Sequence, residues 1–487
     1  MGTPIRIHDE NPKCFEFRGR PLMLVTATEH YGAVFNRPFR FERYLDDAAR
    51  NAMTLTRLFC LFREQQHAQN PYSTCKPEST DYVSPYPRTG PGKAIDGLPK
   101  YDLEQWNPEF FDRLQRFMTL ASDRGIVVEL VFLSNTYNDD IWALNPLNPR
   151  NNINGTETIE YPEYLTMRHA GLFGRQQALV RKIVEETNRY DNLFYEVCNE
   201  PTYDSPGFEN APSSDEVNAW QRALAETIRQ TEAPLPNRHL IAGQEAYRHD
   251  GYQQGSDLSF SKLFVDVVNI HPLPNTTHRG VTYDMGTFMS KELKLGAVRD
   301  FCLATRDEPK PLNCDEDNVA SRFRDPDGWT IHRKRAWTTL LCGCHYDYID
   351  FSILPNLETG TPESQRHIRA WMKHLSTFVH SMDLARARPL PGWLAGQPPH
   401  TCESVFAVEG EDYAVYLADE REVDESGAGQ PIQGEIAFVL PAGAYRVAAY
   451  SPATGLYSPW VRQESGAVRM AVPEFTHDLV LRVKRES

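Results

Sequence analysis

Between about residue 20 and residue 385 the chain alternates between two textures. One is a set of short apolar runs: "PLMLVTAT" (21–28), "MTLTRLFCLF" (53–62), "IVVELVFL" (126–133), "NLFYEVC" (192–198), "HLIAGQ" (239–244), "FVDVVNI" (264–270), "KPLNCDE" (310–316) and "CHYDYIDFSIL" (344–354). They lack strict apolar–polar alternation, as strands covered on both faces do. The other texture is helical spacing. Residues 40–51 put Phe41, Tyr44, Leu45 and Ala48 on one face. Residues 107–125 start with Asn107 as N-cap and Pro108 in the first turn, and stop at Gly125. Further helices are expected near 164–189, 214–230, 290–305, 328–343 and 364–383. Eight such units predict a closed (β/α)8 TIM barrel over residues 1–385 with loop insertions. A doubly wound open sheet is the alternative, but no glycine-rich phosphate loop follows the first strand.

After residue 385 the pattern changes. "RARPLPGWLAGQPPHT" reads as a linker. The short runs "SVFAVEG", "YAVYLAD", "GEIAFVLP", "YRVAAYSP", "VRMAVP" and "DLVLRVKR" then recur between Gly, Pro and Asp. They predict a small all-β antiparallel sandwich domain over residues 386–487.

Composition narrows the function classes. With 487 residues, 40% hydrophobic and 24% charged, the chain is that of a soluble globular protein with more than one core. A net charge of −15 and the lack of a Lys/Arg run argue against nucleic acid as partner. No run approaches the roughly 18 apolar residues of a membrane span. The N-terminus, MGTPIRIHDENPK, lacks the apolar centre of a signal peptide. A soluble protein is expected, either cytoplasmic or exported with its leader absent. The nine cysteines read as buried free thiols, and Cys342-Gly-Cys344 is not a zinc spacing. No metal and no organic cofactor is expected; the oligomeric state is left open.

In such a barrel, chemistry sits at the C-terminal ends of the strands. The polar residues there are Glu29, His30 and Tyr31 after the first run, Arg57 on the second, and Asn199-Glu200 after the fourth. Gln244-Glu245 follow the fifth, His271 the sixth, and Asp315-Glu316 the seventh, while Tyr346, Tyr348 and Asp350 lie on the eighth. Neither a Schiff-base lysine nor a serine nucleophile elbow stands among them. Glu200 and Glu316 lie three units apart and would face each other across the mouth. Paired carboxylates so placed suit glycosidic cleavage, one giving a proton to the leaving oxygen and the other meeting the anomeric carbon. Pro201 ends the fourth ladder, and Asn199 offers an amide to a sugar hydroxyl.

"YEVCNEP" together with "KPLNCDE" resembles the clan A, cellulase-like, retaining glycoside hydrolases. The resemblance implies Glu200 as acid/base and Glu316 as nucleophile, with Asp315 and Asp317 as its rivals. "NAMTLTRLF" is similar to the clan's strand-two pattern, whose arginine orients the nucleophile, here Arg57; "DVVNIHP" is similar to its strand-six pattern and gives His271. The segments "TEHYGAVFN", "KYDLEQWNPEFFDRL", "IWALNPLNPRNNING" and "CHYDYIDFS" extend the likeness to a set of bacterial cellulase-like barrels over most of 20–385. Many clan members end strand eight in a tryptophan. This chain has Tyr346, Tyr348, Asp350 and Phe351 there instead.

The remaining candidates have a plain structural reading beside the functional one. Glu196 is expected as a buried, paired barrel acid. Glu29, His30 and Tyr31 are candidates for binding sugar or supporting the acid pair. Trp142 could stack on a sugar face or pack its loop, and Glu245 and Tyr247 are similarly divided. Tyr72, Tyr82, Tyr86 and Tyr101 could line a cleft or form a loop core. The expected partner is an oligo- or polysaccharide. The expected charge states are Glu316 ionised beside Arg57 and Glu200 protonated. Alternatives are a carbohydrate-binding barrel without activity and a metal-dependent hydrolase; the latter would need a His-x-His that Glu29-His30 does not supply.

Overall fold

The computed structural model describes residues 2–65, 73–248, 264–271, 295–317, 326–421 and 426–486, with Phe260 and the backbone of 276–278 and 281–283. Eight parallel strands form one sheet: β1 (Val25–Thr28), β2 (Leu55–Phe59), β3 (Val127–Ser134), β4 (Leu193–Asn199), β5 (Ile241–Gly243), β6 (Val267–Ile270), β7 (Leu312–Asp317) and β8 (His345–Ile349). Their hydrogen-bonded order is β1-β8-β7-β6-β5-β4-β3-β2, that of a (β/α)8 barrel. The seam between β1 and β2 is closed by one residue. Thr54 donates its N–H to the Val25 carbonyl at 3.0 Å, and its hydroxyl accepts the Val25 N–H and donates to the Met23 carbonyl, both at 2.9 Å.

The longer helices among the described residues are α1 (Phe41–Arg50), α2 (Pro108–Asp123), α3 (Ala170–Thr187), α4 (Ser214–Glu232), α5 (Leu295–Ala304), α6 (Pro326–Leu341) and α7 (Ala370–Val379). α2 forms for the reasons its sequence gives. The Asn107 side chain accepts the Glu109 N–H, Pro108 opens the first turn, and Phe110, Phe111, Leu114, Phe117, Met118 and Ala121 are buried. Gly125 follows at φ 68°, a conformation that favours glycine. The long segment after β2 carries a hairpin, Arg88–Lys93 with Pro99–Tyr101. Tyr82, Tyr86 and Tyr101 are buried there as loop core, and Tyr72 lies outside the described residues.

The longer C-terminal strands are β9 (Thr401–Val408), β10 (Asp412–Asp419), β11 (Ile432–Ser451), β12 (Val461–Phe475) and β13 (Asp478–Arg485). The C-terminal strands build the expected all-β antiparallel domain and are hydrogen-bonded as one continuous sheet. β11 is 20 residues long and pairs with β12 from Ile432 to Val447, with a register break between Leu440 and Ala444; residues 445–450 also pair with β13. A bulge of this kind bends a strand. The sheet encloses its own core of Val415, Leu417, Ile436, Phe438, Val468 and Leu481. Its other side packs on the barrel: Trp337 of α6 stacks on Tyr416 with ring centroids 5.6 Å apart, and Arg333 of α6 makes a buried two-pronged pair with Asp478, 2.8 Å at each nitrogen. Among the described residues no helix is long and apolar enough to cross a membrane.

Candidate active site

The site is built in tiers along the barrel axis. At the lowest tier Asn269 donates to Glu129 at 2.6 Å and to Asp315 at 3.1 Å, and Asn313 donates to Glu129 at 3.2 Å. Above it lies Arg57, with no exposed surface. Its guanidinium grips Glu196 through two nitrogens at 2.6–2.9 Å, reaches Asp315 and Glu316 at 3.0 Å each, and donates to the Asn199 carbonyl oxygen at 2.9 Å. Tyr31 stacks on Phe59 at 4.6 Å and presents its ring to the Arg57 guanidinium at 5.0 Å. This cation is fixed on every side, as a buried charge must be.

Glu316 owes its position to a bulge. Along β7, Asn313 and Asp315 face the lumen, and Asp317 faces outward to His332, Arg335 and Tyr346. Regular pleating would send Glu316 outward. The pairing of β7 with β8 shifts register between Cys314 and Asp317, and Glu316 meets Arg57 in the lumen. Glu200 stands just beyond β4 at φ 49°, a left-handed conformation that costs a non-glycine residue energy and persists only where its surroundings enforce it.

His271 lies between the acids. Its Nδ1 is 2.9 Å from Glu200 Oε1, and its Nε2 is 3.4 Å from Asp315 and 4.0 Å from Glu316. The Tyr137 hydroxyl bonds the other oxygen of Glu200 and accepts from Asn199 Nδ2 at 2.8 Å. Oxygens of Glu200 and Glu316 and a nitrogen of His271 all lie within 4.8 Å of one another.

The charge states differ from the expectation. Burial pushes Glu316 up to about 7, helped by the charge of Glu200 and opposed by His271 and Arg57. Burial also raises Glu200, but the bond and charge of His271, the Tyr137 hydroxyl and Arg57 more than offset it, and this carboxyl lies below its ordinary value. Burial would lower His271; the charges of Asp315 and Glu316 overcome it and hold the imidazole well above its ordinary value. The proton expected on Glu200 therefore rests on its neighbour, one hydrogen bond away.

Two groups of side chains are close enough together to hold a metal ion: Glu200, His271 and Glu316, and Glu129, Glu196 and Asp315. In both, the Arg57 guanidinium already sits within 3.0 Å of an acid, so a divalent ion would lie against a fixed positive charge. The donor set fits an ion-pair network better than a metal.

Glu200, Glu316, Arg57, Asn199, His271 and Tyr31 are thus brought together, and Glu196 is the buried, paired acid its strand position predicted. Three other candidates, Glu29, Trp142 and Tyr348, make their contacts elsewhere. Glu29 is fully buried and turned onto its own loop, accepting the Gly32 N–H at 2.8 Å, the Ala33 N–H at 3.3 Å and the Thr74 hydroxyl. Trp142 packs on Tyr164 at 5.5 Å and is 5% exposed, so it is loop core and not a sugar platform. Tyr348 faces away from the lumen, its ring 4.1 Å from that of His332 on α6; the lumen residue of that strand is Asp347, held by Thr28. Glu245 is buried after β5; two residues on, burial raises the Tyr247 hydroxyl, and the charges of Glu200 and Glu316 add to the effect.

His30 bonds the Ser73 hydroxyl, lies 3.6 Å from Glu64 and meets the edge of Phe351 at 5.0 Å. Its partners Glu64 and Ser73 line a cavity of about 680 Å³, together with Arg63, Lys76 and Asp96 among others. Burial pushes Glu64 up to about 7, and the charge of Glu200 adds to the effect. Tyr137 was missed from the sequence. Its signal was position, since it follows the end of β3 as Glu200 follows β4.

Residues 75–173 match a family model described as a Domain of unknown function (DUF6298). No curated protein matches the chain in sequence. Among solved structures the chain is similar to a glycoside hydrolase family 5 protein from Bacteroides vulgatus, at 12% identity and a TM-score of 0.62 over 99% of this chain and 93% of that one. It is also similar to a second glycoside hydrolase, at 12% identity and a TM-score of 0.59 over 99% and 97%. A cyclomaltodextrin glucanotransferase follows at 10% identity and a TM-score of 0.51, over 96% and 100%. At such identities the likeness is one of fold, and a fold shared by hydrolases and a transferase leaves the chemistry to be argued from the side chains.

Proposed function

We propose that this protein is a retaining glycoside hydrolase cleaving a β-linked glycoside or polysaccharide, with Glu316 as nucleophile and Glu200 as acid/base. The observation that carries the reading is the separation of the two acids. Their nearest oxygens lie within 4.8 Å. So close an approach of single oxygens agrees with the carboxyl separation of about 5–5.5 Å in retaining enzymes; inverting enzymes, at about 6.5–9.5 Å, keep room for a water between the two groups. The solved structures of similar fold include glycoside hydrolases, which agrees with the reading at the level of the enzyme class.

In the proposed first step Glu316, ionised, attacks the anomeric carbon while Arg57 steadies its Oε2 from 3.0 Å. The leaving oxygen takes a proton from Glu200, which is resupplied by His271 across 2.9 Å. The covalent bond removes the charge on Glu316, which with that of Asp315 had held the proton on His271. In the second step the Glu200–His271 pair accepts the proton of the attacking water, and Glu316 leaves. No step of this reaction requires a metal or organic cofactor.

The test is hydrolysis of nitrophenyl glycosides and of plant or algal polysaccharides by the wild type, with Glu200→Gln and Glu316→Ala as blanks. Turnover by the wild type, lost in both variants with sugar binding retained, is the expected result. A wild type that binds sugars and cleaves none would leave a carbohydrate-binding barrel as the reading.

A further inference from the structure

We propose that Tyr137 is a positioning residue of the acid/base, its hydroxyl holding Glu200 Oε2 so that proton exchange is confined to Oε1; this rests on the hydrolase reading above. The direction of each hydrogen bond is fixed by chemistry. The Asn199 carbonyl oxygen accepts from Arg57 at 2.9 Å, so the Asn199 amide nitrogen must face the other way, where it donates to the Tyr137 oxygen at 2.8 Å. A phenol has one proton. With its oxygen already accepting from Asn199, Tyr137 gives that proton to Glu200 Oε2. Arg57, Asn199, Tyr137 and Glu200 thus form one chain of donors running from the partner of the nucleophile to the acid/base.

The backbone is arranged for this contact. Tyr137 at φ 53° and Glu200 at φ 49° are both in the left-handed region, and their side chains meet. Strain of this sort survives where neighbouring bonds over-determine the conformation. Here Asn135 supplies them. Its N–H donates to the Asn199 carbonyl at 3.0 Å, its amide donates to the Thr202 hydroxyl at 2.7 Å, and its side-chain oxygen accepts the Tyr137 N–H at 3.1 Å. One residue therefore ties the segment after β3 to both flanks of Glu200. Phe62 meets the Tyr137 ring edge-on, at 6.0 Å between centroids.

With Oε2 occupied by Tyr137 and Oε1 facing His271, the proton reaches Glu200 on one oxygen only. The same hydroxyl favours the ionised form left after protonating the departing oxygen. Tyr137→Phe keeps the ring against Phe62 and deletes one donor to a charged group, a change of about 10- to 100-fold in the step that uses it. The step is acid-assisted departure, so the loss depends on the leaving group.

The experiment compares wild type and Tyr137→Phe on two glycosides of one sugar, one with an acidic dinitrophenol and one with an alkyl alcohol as leaving group. It also follows the His271 imidazole by NMR titration. The expected result is a fall in kcat/KM at least tenfold larger for the alkyl glycoside, with the alkaline limb of the rate profile moved upward. The His271 titration also moves to higher pH, because Glu200 then holds its charge without help. Equal losses on both substrates would overturn the proposal. If the wild type cleaves neither glycoside the hydrolase reading fails, and the titration still decides on Tyr137: an unmoved His271 overturns its hold on Glu200, and a moved one supports it.

Discussion

Arg57 is the side chain on which the buried charges depend, so its removal is the sharpest perturbation. It touches Glu196, Asp315 and Glu316 at 2.6–3.0 Å, and neither it nor Glu196 nor Asp315 has exposed side-chain surface. At an effective dielectric near 20, one unit-charge contact at about 4 Å amounts to roughly 4 kcal/mol, and most of the sum over three acids is offset by desolvation. What Arg57→Met exposes is the remainder plus three uncompensated buried acids, a net loss of about 3–5 kcal/mol. The loss must depend on pH. Burial already pushes Glu196 and Glu316 up to about 7 with the cation present. Without it these groups rise further, and a carboxyl raised in the folded state stabilises below its unfolded value and loses that contribution as pH climbs toward the folded one. Urea unfolding at pH 5 and pH 8 is the assay, and the variant should lose more at pH 8 by at least about 1.4 kcal/mol, one unit of pKa. A loss equal at the two pH values, or below about 1 kcal/mol, would refute the view of Arg57 as the hub of this network.

Other expectations follow from single contacts. As the proposed nucleophile Glu316 would have to be ionised, so kcat/KM should rise with pH through about 7; a plateau already reached at pH 5 would exclude it as the titrating nucleophile. A Cβ on Gly32 would come 1.8 Å from the Thr74 carbonyl oxygen and 2.7 Å from the Cys75 nitrogen, both backbone atoms. Gly32→Ala should therefore cost about 1–3 kcal/mol in thermal or urea unfolding. Trp142→Ala should cost about 3–5 kcal/mol of stability and leave KM nearly unchanged, as kinetics beside unfolding would show. Hydrolysis should survive dialysis against a chelator; loss restored by a divalent cation would favour the metal-dependent alternative.

The barrel was legible because its signal is repetition: eight apolar runs separated by helical spacing leave few other architectures. The meeting of Glu200, Glu316, Arg57, Asn199 and His271 was legible for a related reason, since strand ends in a barrel converge whatever lies between them. Face was harder to read. In "HYDYID" five of the six positions carry a polar group, so the pattern does not say that Asp347 faces Thr28 in the lumen while Tyr346 and Tyr348 face α6. In "NCDED" the bulge adds Glu316 to the lumen side, which no strict period of two would allow. Glu29 looked like a site acid because backbone N–H groups, its actual partners, leave no trace in the sequence. The antiparallel C-terminal domain was legible, but the 20-residue length of β11 was not, because a break at residues 440–444 looks like the end of a strand.

Helix α6 connects the two halves of the molecule through four consecutive residues. His332 and Arg335 each lie 3.3 Å from Asp317, the residue after the proposed nucleophile, while Arg333 and Lys334 reach the C-terminal sheet at Asp478 and at the Asp419 carbonyl. The sheet is therefore a buttress to β7 and not a passenger. A chain ending before it would strand the Arg333 guanidinium over Trp371 without its acid, next door to the side chains that anchor Asp317. Exchanging such sheets between barrels would change the support behind β7 from the rear, without touching Arg57, Glu200 or Glu316 in the lumen.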